Sequence, residues 1–234
     1  ISMEHQAVVA ALRELDAMHA PAVVRFDGGA PTAHGFVVLP SAFNPPTLAH
    51  LALLAVGSDA TGLQPAAMLT TRNVAKGIHG ASLPHRVGML LAAHEATPLL
   101  AVLVANVARF VDQAAALRET FIGAQIDFVA GYDTLVRIFD PGYYSNMDAE
   151  LRTFFAAHRI VVTNRAEASM DEVDRLVASA IVRPFASRIL VCELASDMAA
   201  LSSTGAREAA PADAHDQHVP PAVADYIRVN RLYR

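Results

Sequence analysis

Thr47 and His50 stand three residues apart, directly after an apolar run at 36–40 and the turn Ser41-Ala42-Phe43-Asn44-Pro45-Pro46. An Ala/Leu-rich segment begins near Thr47. This punctuation predicts a buried strand, a tight loop and a helix whose first turn carries both side chains on one side. A helix start offers unpaired backbone N–H groups and the positive end of a dipole, so such a unit is suited to hold phosphate. The same residues also fit an ordinary βα unit in which Thr47 is only a cap. Asn44 has two readings as well: it braces the loop through side-chain hydrogen bonds, or it meets a ligand.

Three further stretches carry candidate binding groups. Of the 18 basic residues, 17 are Arg and one, Lys76, is Lys. A compact ammonium meets several phosphate oxygens as a point charge, where a planar guanidinium needs a matched fork; the plain alternative is a chance survivor on a solvated loop. Gly131-Tyr132-Asp133 follows the strongly strand-like 126–130, and Asp133 alternatively caps a helix over 133–139. Ser202-Ser203-Thr204 and Arg207 offer donors and a cation late in the chain, or an ordinary capping run and a surface charge. Tyr143-Tyr144 is either an aromatic patch on a substrate or packing.

The elements that must position these groups alternate. Residues 3–19 place Val8, Leu12 and Leu15 at helical spacing, and a short strand is expected at 23–26. The Asp27-Gly28-Gly29 turn and Pro31 set residues 1–35 apart as an N-terminal extension from a main domain over 36–234. Within that domain strands are expected at 36–40, 66–71, 99–105, 126–130, 159–163 and 189–193. Helices are expected at 47–57, 84–94, 110–121, 133–139, 148–157 and 171–181. This alternation predicts an α/β fold, a Rossmann-like open parallel sheet with helices on both faces. In such sheets the site lies outside the carboxyl ends of the strands, where 41–50, 72–76, 131–133 and 202–207 all fall.

Composition narrows the classes. Hydrophobic residues make up 53% and charged residues 18%, the balance of a globular chain with a sizeable core. Net charge of −5 argues against nucleic acid or a polybasic membrane contact as the main partner. No apolar run reaches the roughly 18 residues that cross a bilayer, and no secretory leader is visible. Ile1-Ser2 ahead of Met3 reads as an expression remnant and is set aside. Cys192 is the single cysteine, expected in a buried strand, which fits a reducing cytoplasm. His215 and His218 lack the further ligands of a metal site and read as solvated loop, so no protein metal site is expected. Neither a dinucleotide Gly-x-Gly-x-x-Gly loop, a Walker-type loop nor a Gly-x-Ser-x-Gly elbow is present.

The run SAFNPPTLAH at 41–50 resembles the nucleotidylyltransferase signature Gly-x-Phe-Asn-Pro-x-His/Thr-x-Gly-His. TTRNVAKG (70–77), the Gly-x-Asp of VAGYDTLVRIFDP (129–141), LSSTGAR (201–207) and VPPAVADYIRVNRLY (219–233) are similar to later stretches of that family, in its order. The nearest branch is that of the nicotinamide or nicotinate mononucleotide adenylyltransferases. Ser41 stands for the first Gly of the signature, Thr47 for the commoner His and Ala49 for the Gly before His50, and the chain has no Trp.

The resemblance implies an enzyme, an adenylyltransferase that moves AMP from ATP onto a mononucleotide phosphate and releases pyrophosphate in NAD biosynthesis. Alternatives are other substrates, of the CTP or phosphopantetheine type, and a nucleotide-binding module without turnover. His50 and Thr47 would contact the α- and β-phosphates, Lys76 the attacking phosphate, and Arg207 the pyrophosphate. Ser41 and the backbone of Ala42 and Phe43 would line the nucleotide. Gly131 and Asp133 would meet the ribose, and Ser202, Ser203 and Thr204 the β/γ-phosphates. Mg²⁺ is implied with ATP, held by phosphate oxygens and water. The implied partners are ATP and a phosphate-bearing small molecule, and the family leaves room for a homo-oligomer.

Overall fold

Runs of Val, Leu, Ile and Ala such as Val37-Val38-Leu39 and Val102-Leu103-Val104 are buried on both faces, the mark of strands inside a covered parallel sheet. The structure, a computed structural model, describes residues 3–29, 34–72, 80–164, 168–199 and 217–234. Its strands are β1 (Val23–Arg25), β2 (Gly35–Pro40), β3 (Gln64–Thr70), β4 (Ala101–Ala105), β5 (Gln125–Gly131), β6 (Ile160–Thr163) and β7 (Ile189–Cys192). The helices are α1 (Met3–Ala17), α2 (Leu48–Thr61), α3 (Leu83–Ala96), α4 (Phe110–Thr120), α5 (Tyr132–Ile138), α6 (Met147–Ala157), α7 (Met170–Ala178), the short α8 (Ser196–Ala199) and α9 (Pro221–Asn230).

The seven strands form one sheet in the order β1-β4-β3-β2-β5-β6-β7, all parallel except β1, which runs antiparallel to β4. From β2 the chain winds outward through β3 to β4, then returns to lay β5 against the other side of β2. Residues 36–39 pair with 64–67 on one side, and 36–38 with 126–128 on the other. The winding reverses between β2 and β5, so a crevice opens beyond the carboxyl ends of these two strands. That is the α/β architecture expected from the alternation of elements.

Two cores cover the two faces. Phe36, Val38, Met68, Leu103 and Phe128 pack with α4, α5, α6 and α7. Val37, Leu39, Leu69, Val104, Val129 and Val161 pack with α1, α2, α3 and α9. Successive residues of a strand point to opposite faces, so this even–odd division follows from the pleat. Over the crevice, α2 lies against β2, β3 and β5. Gly57 lets it come close, since a Cβ there would stand 3.0 Å from side-chain carbons of Val37 and Val129.

The first two elements are tied into this sheet. Val8, Leu12 and Leu15 bury the inner face of α1. Asn106 binds its end, its Oδ1 accepting the Ala22 N–H at 2.7 Å and its Nδ2 donating to Ala20 O at 2.9 Å. Asp27, in the turn after β1, accepts the Val102 N–H at 2.7 Å and the Arg25 Nε–H at 2.8 Å. A second buried carboxylate, Asp127, is held by Arg159, whose side chain lies 2.6 Å away and whose N–H lies 2.9 Å away. Both acids are neutralised and hydrogen-bonded, as burial of charge demands.

Two expectations are corrected. The strand expected at 99–105 starts at Ala101, because Leu99 is 70% exposed and Leu100 closes a turn onto Thr97. Cys192 is half-buried, since β7 is the sheet's outer strand; burial still raises its thiol pKa. Among the described residues no helix is long and apolar enough to cross a membrane.

Candidate active site

Thr47 is the N-cap of α2, in extended conformation with φ −115°. It and His50 form a reciprocal capping box. The His50 N–H donates to Thr47 Oγ1 at 3.3 Å, and the Thr47 N–H donates to His50 Nδ1 at 2.9 Å. A nitrogen that accepts an N–H cannot carry a proton, so the neutral ring bears its proton on Nε2. Ser41 Oγ lies 3.2 Å from that Nε2. Phe43 holds the imidazole from another side, ring centres 4.7 Å apart. Local chemistry thus fixes a histidine N–H at the mouth of the crevice.

The remaining loop residues take definite parts. Phe43 is buried at 1% exposure and has φ 44°, so its side chain belongs to the core while its backbone turns the loop. Ala42 is exposed, and its carbonyl accepts from Arg86 Nη1 at 3.2 Å. Arg86 also donates Nε–H to Ala81 O at 3.0 Å, tying the start of α3 to the loop. The Asn44 side chain accepts from Ala81 N and from the Tyr233 hydroxyl, which is the bracing reading. The Asn44–Pro45 peptide is cis.

Two details differ from the sequence expectation. The Thr47 hydroxyl is buried and engaged by His50, so it serves as the cap of α2. The first turn of α2 is also less open than a bare helix end. The Leu48 N–H donates to the His218 carbonyl at 2.9 Å, and the His50 and Leu51 N–H groups both go to Thr47.

Across the crevice, β5 ends at Gly131, the N-cap of α5. Parallel pairing of β2 with β5 sets Gly131 beside the 41–47 loop. A Cβ on Gly131 would meet no described atom within 4 Å, so the space above it is open. Asp133 is exposed in the first turn of α5. It follows the cap position and is not itself the cap; an acid there suits the positive helix end. The structure therefore brings together Ser41, Ala42, Phe43, Thr47, His50, Gly131 and Asp133. Lys76, Ser202, Ser203, Thr204 and Arg207 lie outside the described residues.

Other polar clusters have structural explanations. His158 donates Nδ1–H to Ile126 O and accepts from Arg118 at Nε2, each at 2.5 Å, inside the core. Burial lowers its pKa to about 4, so it is neutral. Tyr144 donates to Ile138 O and lies under the Arg109 guanidinium, the packing reading for this tyrosine, while Tyr143 is exposed. A groove of about 280 Å³ between α4 and α6, lined by Asp112, Arg118, Glu150 and Phe154 among others, lies on the sheet face opposite α2. The residues missed by sequence reasoning are Arg86 and Tyr233; Tyr233 ends the Leu-Tyr pair that follows the last helix, a faint signal.

A doubly wound, mostly parallel sheet with the SAFNPPTLAH loop at its switch point defines the class: a Rossmann-like α/β fold. The chain shares that fold with the nicotinic acid mononucleotide adenylyltransferase of Plasmodium falciparum. Superposition gives TM-scores of 0.63 and 0.64 on its complexes with APC and NaAD, at 15% identity, over 86% of this chain and 97% of that one. In sequence it is 26% identical over 216 residues to a Schizosaccharomyces pombe protein provisionally assigned as a nicotinamide mononucleotide adenylyltransferase. That match covers 84% of this chain and 85% of the yeast protein. No protein-family model matches the chain.

Proposed function

We propose that this protein is an adenylyltransferase of NAD biosynthesis. It moves AMP from ATP onto the phosphate of nicotinamide or nicotinate mononucleotide. A mononucleotide phosphate oxygen attacks the α-phosphorus, the bond to the β-phosphate oxygen breaks, and pyrophosphate leaves. The attacking phosphate is already anionic near neutral pH, so no strong base is required. Holding two polyanions in line and stabilising the charge supply the rate. The observation that carries the proposal is the His50 imidazole, fixed at the β2/β5 switch point with Nε2–H beside Ser41 Oγ. It is supported by the yeast relative and the parasite fold.

In this reading His50 Nε2–H donates to the α- or β-phosphate, with Ser41 Oγ beside it. Thr47 acts at one remove, by fixing the ring. The backbone at Ala42, which is exposed, and at Phe43 lines the nucleotide, Gly131 leaves room for the ribose, and Asp133 accepts its hydroxyl protons. Lys76, Ser202, Ser203, Thr204 and Arg207 are assigned to the phosphates through the family resemblance. Among the described residues no three His, Cys, Asp or Glu side chains converge. A Mg²⁺ arriving with ATP would be held on phosphate oxygens and water. The lone Cys192 thiol suits the cytoplasm.

One observation favours a second reading. Ser41 Oγ sits 3.2 Å from His50 Nε2, so the histidine donor already has a neighbour where the family signature has Gly. A module that binds nucleotide without turnover would tolerate that. Incubation with ATP, Mg²⁺ and each mononucleotide decides between them: pyrophosphate release supports transfer, and calorimetric nucleotide binding without release supports the module. A panel with CTP and phosphopantetheine as alternative substrates separates the transferase branches.

A further inference from the structure

Asn44 is a buried junction at 9% exposure. Its Oδ1 accepts the Ala81 N–H at 3.0 Å and the Tyr233 O–H at 2.6 Å, which uses both lone pairs of an amide oxygen. Gly80 presses against the same amide; with φ 85° it takes a left-handed conformation, and a Cβ there would fall 2.6 Å from the amide atoms. One side chain thus joins the loop at the switch point, the lead into α3 and the segment after α9.

Tyr233 reaches Asn44 because α9 ends in a left-handed turn. Arg231 has φ 55°, and the Leu232 N–H closes back onto Ile227 O at 3.1 Å, the Schellman pattern. Leu232 and Tyr233 then pack on the core that also holds Phe43. Tyr233 itself has φ 58°, and Phe43, next to Asn44, has φ 44°. Bulky residues keep such conformations only where the surroundings over-determine them, and these two sit at or beside the Asn44–Tyr233 hydrogen bond. The segment before α9 touches the same unit, through His218 O and the Leu48 N–H.

We propose that Tyr233 is a positioning residue for the 41–47 loop, acting through Asn44 to set the bearing of His50. The activity arm of its test rests on the transferase reading above. Without the Tyr233 hydroxyl, Asn44 keeps the Ala81 bond but loses one of the contacts that hold its amide. The loop then samples more orientations, and a donor that must meet the reacting phosphate is misplaced for part of the time.

Tyr233→Phe keeps the ring in the core and removes only the hydroxyl. The expected result is a fall in kcat of about three- to tenfold, the worth of one neutral hydrogen bond. KM for the mononucleotide should stay within about twofold and the melting temperature within about 4 °C. Because the effect runs through Asn44, Tyr233→Phe should cost nothing further in an Asn44→Ala background. In nucleotide-free protein, hydrogen exchange should quicken at the non-proline amides of residues 41–48 and at 81 and remain unchanged in β4 and β6. Parental kcat in Tyr233→Phe, or an equal loss in both backgrounds, overturns the proposal. If the parent protein releases no pyrophosphate at all, the transferase reading fails instead; the exchange measurement then decides alone, with unchanged exchange at 41–48 overturning the positioning role.

Discussion

His50 Nδ1 lies 2.9 Å from the Thr47 backbone nitrogen and accepts its hydrogen, so the helix cap and the candidate catalytic group are one structure. A backbone donor makes this bond, which means that it survives most substitutions at position 47. The Thr47 hydroxyl contributes the other half of the box. Thr47→Val should therefore cost about 1 kcal/mol of stability, the usual worth of a cap, and should lower turnover less than tenfold. Denaturant unfolding and steady-state rates check this. A hundredfold loss of turnover at unchanged stability would mean that the hydroxyl meets phosphate directly.

Thr163 ends β6 at 0% exposure, and its hydroxyl has no hydrogen-bond partner among the described residues. Register places it beside Gly131, one strand from the 41–47 loop. A buried hydroxyl without a partner carries a desolvation cost, so Thr163→Val should raise stability by about 1 kcal/mol. Thermal unfolding of the nucleotide-free protein gives the answer. Destabilisation by the same amount would show that the hydroxyl is satisfied in solution.

The pH dependence of stability has a defined sign. Burial, the largest cause, lowers the His158 pKa to about 4, against the bond to Ile126 O, which raises it. The unfolded state therefore binds more protons between pH 6.5 and 4. Stability is full above pH 6.5 and is lost as pH falls toward 4, by roughly 3 kcal/mol from this one group. His85, lowered by burial and by neighbouring His5, acts in the same direction. Urea unfolding between pH 7 and 4.5 should show this slope, and His158→Gln should flatten it. An identical slope in the variant would remove His158 as its source.

Most of the sheet was legible in the residue pattern. Val, Ile and Leu runs bounded by Gly, Pro and polar turns mark β2 to β6 to within a residue or two at most ends, because both faces of those strands are covered. The exceptions have local reasons. Leu99 is apolar but exposed, and hydropathy alone extends β4 to include it. At the edge, β1 is three residues long, and nothing in Val23-Val24-Arg25 announces antiparallel pairing with residues 103–105.

The site was legible as a set of loops at one rim, less so in detail. Three-residue spacing puts Thr47 and His50 on one side of a turn, but it does not say whether the two meet each other or a ligand. They meet each other. Asn44 and Tyr233 are 189 positions apart, and no local pattern links residues so distant. The acceptance of the Leu48 N–H by His218 is equally non-local.

Pyrophosphate release by the parent protein and His50→Ala, with ATP, Mg²⁺ and nicotinamide or nicotinate mononucleotide, tests the central claim most directly. The account predicts one pyrophosphate per dinucleotide from the parent. It predicts a rate about 100- to 1000-fold lower from the variant, the loss of one preorganised donor, with the fold intact. No release from the parent with either mononucleotide, or parental turnover from His50→Ala, would contradict it.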